Sequence, residues 1–296
     1  MVHLFDPADM REMFQQIGQY PYRRSHRALL RYRSKRPDTY RSGGIFPENG
    51  PEWARLRSQF RRPLLLAKNI NAYDRVMDQV SLDLVRYIRS ITRCKDKLIV
   101  HDFGDDLYRW ALESICAIML DSRIGCLDTI PKSSSSGPSN NHNNQPDQLI
   151  WAAHQTNEAV METEQYNSWE TDDQKNGDYL RLEQAQDVMA EICGGLFAER
   201  IEQVESKANE IKEVESNQPT LLTQFILDPS IDRKDLFGII LDCVLAGIDT
   251  TSITTGFALY YLAKHPHYQQ RLFEEIQAVT NYGTGVDINR SEIRGN

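Results

Sequence analysis

Residues 246–252 read Ala246-Gly247-Ile248-Asp249-Thr250-Thr251-Ser252, in the middle of a long apolar run. Leu236, Ile239, Ile240, Cys243, Val244 and Gly247 share one helical face. Further apolar residues surround that face, which predicts burial on most sides. The pattern continues through Phe257, Leu259, Tyr261 and Leu262. Lys264 and His265 suit the negative end of the helix dipole, and Pro266 stops the helix. Inside such a helix a glycine costs about 1 kcal/mol relative to alanine. A threonine hydroxyl there can bond back to a carbonyl one turn earlier and bend the helix. An unpaired buried acid is costlier still. A segment that breaks three local rules at once points to a functional or strained position. Two readings stay open at this point. In one the helix is dented: Gly247 admits something close to the backbone, Thr250 offers a hydroxyl and Asp249 a proton route. In the other the helix is merely kinked and the aspartate is exposed.

Outward from this segment the chain reads as mainly α. Downstream, Pro266 can open a further helix with Leu272, Phe273, Ile276 and Val279 inward, ended by Tyr282-Gly283-Thr284-Gly285. Upstream, Asp6-Pro7-Ala8-Asp9 can start a first helix, with Met10, Met13, Phe14 and Ile17 as its stripe and Gly18 as its end. A short helix is expected over Ser25 to Arg33, then a loop from Pro37 to Pro47 centred on Gly43-Gly44. Pro51-Glu52-Trp53 opens a helix running toward Arg62, before Pro63. Apolar spacings of three and four predict helices over Tyr73–Ile91 and Leu107–Met119, with a short strand at Leu98-Ile99-Val100 between them. Further helices are expected from about Asp147 to Trp169, from about Asp178 past Ile201, and from Thr220 to Leu227. Residues 132–146, rich in Ser and Asn, cannot build a core and read as a disordered surface insertion. Glu202 to Asn217 is highly charged and reads as a solvated helix end or loop.

Composition narrows the function classes. Acidic residues outnumber basic ones, 42 against 34, and the net charge of −8 argues against nucleic-acid binding. The arginines between Arg23 and Arg62 still form a local basic patch. No apolar run reads as long enough to span a membrane, and the N-terminus has no signal or transit pattern. Cys94, Cys116, Cys126, Cys193 and Cys243 form an odd set without CxxC, which fits a reducing compartment and no disulfide framework. His265-x-His267 lacks a third ligand and reads as a solvated helix junction, so no metal site is expected from these residues.

The segment Ala246-Gly247-Ile248-Asp249-Thr250-Thr251 resembles the oxygen-activation motif of the cytochrome P-450 family, in the long helix that crosses the haem face. Leu259-Tyr260-Tyr261-Leu262-Ala263-Lys264-His265-Pro266 resembles the end of that helix, and Gln269 to Ile276, with Glu274-Glu275-Ile276, the helix after it. Gly50-Pro51-Glu52-Trp53-Ala54-Arg55-Leu56-Arg57 resembles helix C of the family, whose Trp and Arg donate hydrogen bonds to a haem propionate. An always-charged Arg and a single indole N–H suit that carboxylate. Taken alone, Trp53 would read as core and Arg57 as solvated. Leu120-Asp121-Ser122-Arg123-Ile124-Gly125-Cys126-Leu127 and the Tyr20-Pro21-Tyr22-Arg23 region are similar to the animal mitochondrial branch, and point toward an insect ecdysteroid hydroxylase.

The resemblance implies a mainly α cytochrome P-450 fold with few strands, truncated after the long central helix and the one following it. Residues 1–296 would be one partial domain, lacking the haem-thiolate region. It implies haem b as cofactor, with Asp249 and Thr250 catalytic and Trp53, Arg57, Ala246 and Gly247 cofactor-binding. The axial Cys is expected outside this chain, since Cys243 lies within the long helix. Glu52-Trp53-Ala54-Arg55 spells the family's Glu-x-x-Arg, but in helix C, as a chance match. The implied reaction is hydroxylation of a hydrophobic, steroid-like substrate with O2 and electrons from a ferredoxin-type donor. Substrate contacts are expected from the loop Gly43-Gly44-Ile45-Phe46 and the helices after residue 147. A mitochondrial inner-membrane site on the matrix side is implied, or else the endoplasmic reticulum, with membrane association of the full-length protein. The fragment alone is expected to be inactive and to expose a large apolar surface. The alternative is a non-catalytic truncated helical protein.

Overall fold

The computed structural model describes residues 3–66, 69, 72–93, 103–127, 144–166, 177–206 and 219–280. Ten helices lie among them: α1 (Pro7–Gln16), α2 (Arg27–Ser34), α3 (Gly50–Leu65), α4 (Asp74–Arg93), α5 (Phe103–Met119), α6 (Gln145–Tyr166), α7 (Gly177–Ser206), α8 (Leu221–Leu227), α9 (Arg233–Lys264) and α10 (Pro266–Thr280). No strand occurs among the described residues, and the one expected at 98–100 lies outside them.

Local chemistry sets most helix starts. Asp6 caps α1 by accepting from Ala8 N at 2.7 Å, and Thr220 caps α8 by accepting from Thr223 N. Asp232 caps α9, accepting from Lys234 N at 2.8 Å and Asp235 N at 3.3 Å. Asp232→Ala is expected to cost about 1 kcal/mol in a denaturant titration, since it strands two N–H donors at the head of the central helix. A loss below a few tenths would mean that water replaces the carboxylate.

The structure departs from the sequence expectations at two helix boundaries and in the burial of α1. α3 continues to Leu65 with Pro63 inside it. The proline withdraws one backbone donor in the last turn only, and its carbonyl accepts from Asn69 Nδ2 at 2.7 Å. α6 begins at Gln145, two residues inside the span assigned to the insertion, with Pro146 in its first turn. Residues 128–143 lie outside the described set. The apolar stripe of α1 meets solvent instead of a core: no residue of that helix is buried.

The core is organised on α9. Leu236, Ile239, Ile240, Leu241, Val244, Leu245 and Ile248 are all buried. α5 runs along α9 with Ala111, Leu112 and Cys116 inward, and α6 packs along α7 through Leu149, Ala152, Leu182, Ala185 and Met189. By length and composition α9 is apolar enough to cross a membrane, contrary to the expectation that no run would be. In this fold 61% of its most apolar window is buried in protein, so that hydrophobicity serves a core.

The turn after α5 is fastened by polar groups. Asp121 takes a positive φ of 49° and Gly125 one of 73°. Buried Glu113 accepts from Arg123 and from Cys126 N, and Arg123 also reaches Asp83 on α4 at 2.8 Å. Arg123 holds the Asp83 carboxyl below its usual range. Asp121 accepts from Thr220 and Arg200, which ties this turn to α8 and α7. The second half of α9 and α10 stay open, with Ile253, Phe257 and Tyr260 exposed; Leu272, Phe273 and Ile276, expected to face inward, are exposed too, because no described element covers that face of α10.

Candidate functional site

Three aspartates recur at seven-residue intervals along α9: Asp235, Asp242 and Asp249. Seven residues are nearly two helical turns, so the three acids form one stripe that drifts by about 20° per step. Each acid is met by a polar group from another part of the chain. Asp235 accepts from Ser42 Oγ at 2.7 Å and from Arg55 on α3 at 2.8 Å. Asp242 accepts from Arg33 on α2 at 2.7 Å, and from the backbone N–H groups of Ile45 and Phe46. Asp249 accepts from Asn157 Nδ2 on α6 at 2.6 Å.

The middle pair is wholly enclosed: the Arg33 and Asp242 side chains are 1% and 0% exposed. Arg33 also donates to Gly43 O at 2.7 Å, and its guanidinium lies 5.4 Å from the Tyr40 ring centre. Gly44, at φ +89°, lies against both charges: a Cβ there would sit 2.1 Å from Arg33 Nη1 and 2.5 Å from Asp242 Oδ2. The loop expected to contact substrate is thus locked onto the central helix.

The oxygen-motif residues separate by direction. Thr250 donates from Oγ1 to Ala246 O at 2.6 Å and is exposed. That is the back-bond foreseen for a threonine in a helix. Asp249, one residue earlier, points toward α6 with its side chain 22% exposed, so it is neither unpaired nor solvated. Its Oδ1 is buried without a hydrogen bond and lies 3.6 Å from His154 Nδ1. Burial, helped by the Asp249 charge, holds the nearby Tyr108 hydroxyl above its usual range. The close approach foreseen at Gly247 comes from a side chain of α5. A Cβ at Gly247 would stand 2.7 Å from Ile115 Cγ1, so the glycine serves a tight helix crossing.

On α3 the Trp53 ring lies between two guanidinium groups, Arg57 at 5.1 Å and Arg23 at 5.5 Å from its centre. Burial, and next the charge of Arg57, push Arg23 below the usual arginine range. Neither cation has an ion-pair partner among the described residues. Two arginines converging on one indole without a carboxylate between them suit an anion such as a haem propionate. Arg23 stood in the sequence reading only as one end of the basic patch; its place beside Trp53 comes from the fold. Arg55, assigned to a chance match, ties α3 to Asp235, with Glu52 as its second partner. Neither Trp53 nor Arg57 bonds to the Ala246–Thr250 segment among the described residues. Cys193 and Cys243 are pushed up to about 12 by burial, and Cys116 and Cys126 are raised the same way. None of these four sits as a thiolate.

The described residues form a helical core built on one long axial helix that carries an acid and an alcohol side by side, with an arginine-flanked tryptophan elsewhere. The model of the cytochrome P450 family matches residues 1–291. The chain is 31% identical over 283 residues to a mitochondrial Drosophila melanogaster protein named cytochrome P450 302a1, covering 94% of this chain and 52% of that one. It is 30% identical over 292 residues to the rat mitochondrial 25-hydroxyvitamin D-1 alpha hydroxylase, covering 96% and 54%. With the Drosophila melanogaster ecdysone 20-monooxygenase it shares 24% over 279 residues, covering 93% and 49%. The chain belongs to the cytochrome P450 family. It spans about half the length of the curated relatives it matches.

Proposed function

We propose that residues 1–296 belong to a mitochondrial haem-dependent monooxygenase that hydroxylates a hydrophobic, steroid-like molecule with O2 and electrons from a ferredoxin-type donor. The observation that carries this reading is the exposed Thr250 hydroxyl beside the tethered Asp249 carboxylate, at the middle of the central helix. The family supports the reaction class, and relatives named as vitamin D and ecdysone hydroxylases support the substrate class. Relatives named mitochondrial support the compartment.

In this reading Trp53 and Arg57, with Arg23 opposite, hold a propionate of haem b. When bound, haem supplies the iron that activates oxygen for C–H oxidation. Ala246 contributes the wall beside Thr250. Thr250 keeps a proton on Oγ1, parked on Ala246 O at rest and free to turn outward. Asp249 is the acid that can return a proton to that hydroxyl. The locked Gly43–Phe46 loop presents Ile45 and Phe46 as a fixed apolar wall for substrate.

Thr250→Ala tests the reading in full-length protein. Product formed per O2 consumed should fall about a hundredfold, the low end of what a positioned proton donor contributes, while haem content stays constant. Unchanged coupling of oxygen to product would overturn the role of Thr250.

A further inference from the structure

We propose that Asn157 and His154, on one face of α6, are the positioning residues of Asp249, and that they fix the direction of its carboxylate and thereby its proton supply to Thr250. This rests on the acid–alcohol reading above and extends it to a second helix.

The geometry is convergent. Residues three apart on a helix lie on the same face, so Asn157 and His154 reach α9 together. Asn157 Nδ2 donates to Asp249 Oδ2 at 2.6 Å. His154 Nδ1 stands 3.6 Å from the other oxygen, Oδ1. The His154 ring is held by the Tyr108 ring of α5, edge-on at 81° with centroids 4.6 Å apart. Three helices therefore determine where this carboxylate points. A purely structural aspartate in this place would be satisfied at both oxygens. Here Oδ1 is buried and accepts nothing, although His154 faces it just beyond hydrogen-bond range. A buried acceptor left open at a cost, with a ring N–H or lone pair held opposite it, suits a group that must take up and give back a proton.

The test uses full-length protein carrying Asn157→Leu or His154→Phe, each alone and with Asp249→Asn. The phenylalanine keeps the ring contact with Tyr108. Melting temperatures report the contact without reference to activity. The shifts for Asn157→Leu and Asp249→Asn should fail to add, because the second change removes a bond already lost. Turnover reports the role. Each single variant should lower kcat about tenfold, as misplacement of a reacting group does, raise the solvent isotope effect, and leave KM within about twofold. Neither should lower kcat further in the Asp249→Asn background. Additive melting shifts would overturn the contact. Non-additive shifts with unchanged kcat and isotope effect would overturn the positioning role. If Thr250→Ala also leaves coupling intact, the oxygen-site reading itself fails, and the melting data still decide whether α6 holds Asp249.

Discussion

Asp242→Ala is expected to destabilise the protein by about 3–5 kcal/mol, the cost of leaving one member of a buried ion pair alone. The charge of Arg33 would remain in a site 1% exposed. The N–H groups of Ile45 and Phe46 would lose the same acceptor, because Oδ2 serves them while Oδ1 serves Arg33. Arg33 keeps only its bond to Gly43 O. Asp242→Asn should fall between wild type and alanine, since an amide keeps one acceptor oxygen but offers hydrogens to donors. Chemical denaturation of the three proteins measures the order. A loss under about 1 kcal/mol for Asp242→Ala would mean that water reaches Arg33 and that the loop is not locked by this pair.

Gly247→Val is expected to cost about 1–3 kcal/mol through overpacking. Its Cβ alone would meet Ile115 at 2.7 Å and 3.0 Å, and the branched methyls would press further into α5. Because the obstacle is one side chain, trimming it should relieve the strain. The Gly247→Val, Ile115→Ala double variant should lose less stability than the sum of the two single losses. Additive losses would place the strain in the α9 backbone and remove the helix crossing as the reason for glycine.

These results concern contacts that differ in how readable they were. The helices were readable because burial, capping and proline placement act within a few residues. Pro266 ends α9 as expected, and the start follows from the Asp232 cap a few residues ahead of the apolar run. The Thr250 back-bond was foreseen for the same reason: its acceptor, Ala246 O, is one turn away. The acid stripe was visible in principle, since Asp235, Asp242 and Asp249 recur every seven residues in an otherwise apolar helix. An apolar helix tolerates such acids only where each finds a partner, and that rule names the acids without naming the partners. Arg33 lies 209 residues from Asp242, and Asn157 lies 92 residues from Asp249.

The sequence by itself determined that this chain is helical, that a long apolar helix through Leu236 and stopped at Pro266 is its central one, and that Ala246–Thr251 is the unusual point on it. Those features follow from periodicity and from hydrogen bonds closed within a turn or two. Only the tertiary structure decided the directions. It turned Asp249 toward Asn157 and His154, filled the space at Gly247 with Ile115, brought Arg23 to the far side of Trp53, and set Arg33 against Asp242. A helix fixes the angle between its own side chains. What each one meets depends on which other helix packs there, and the sequence pattern alone does not encode that choice.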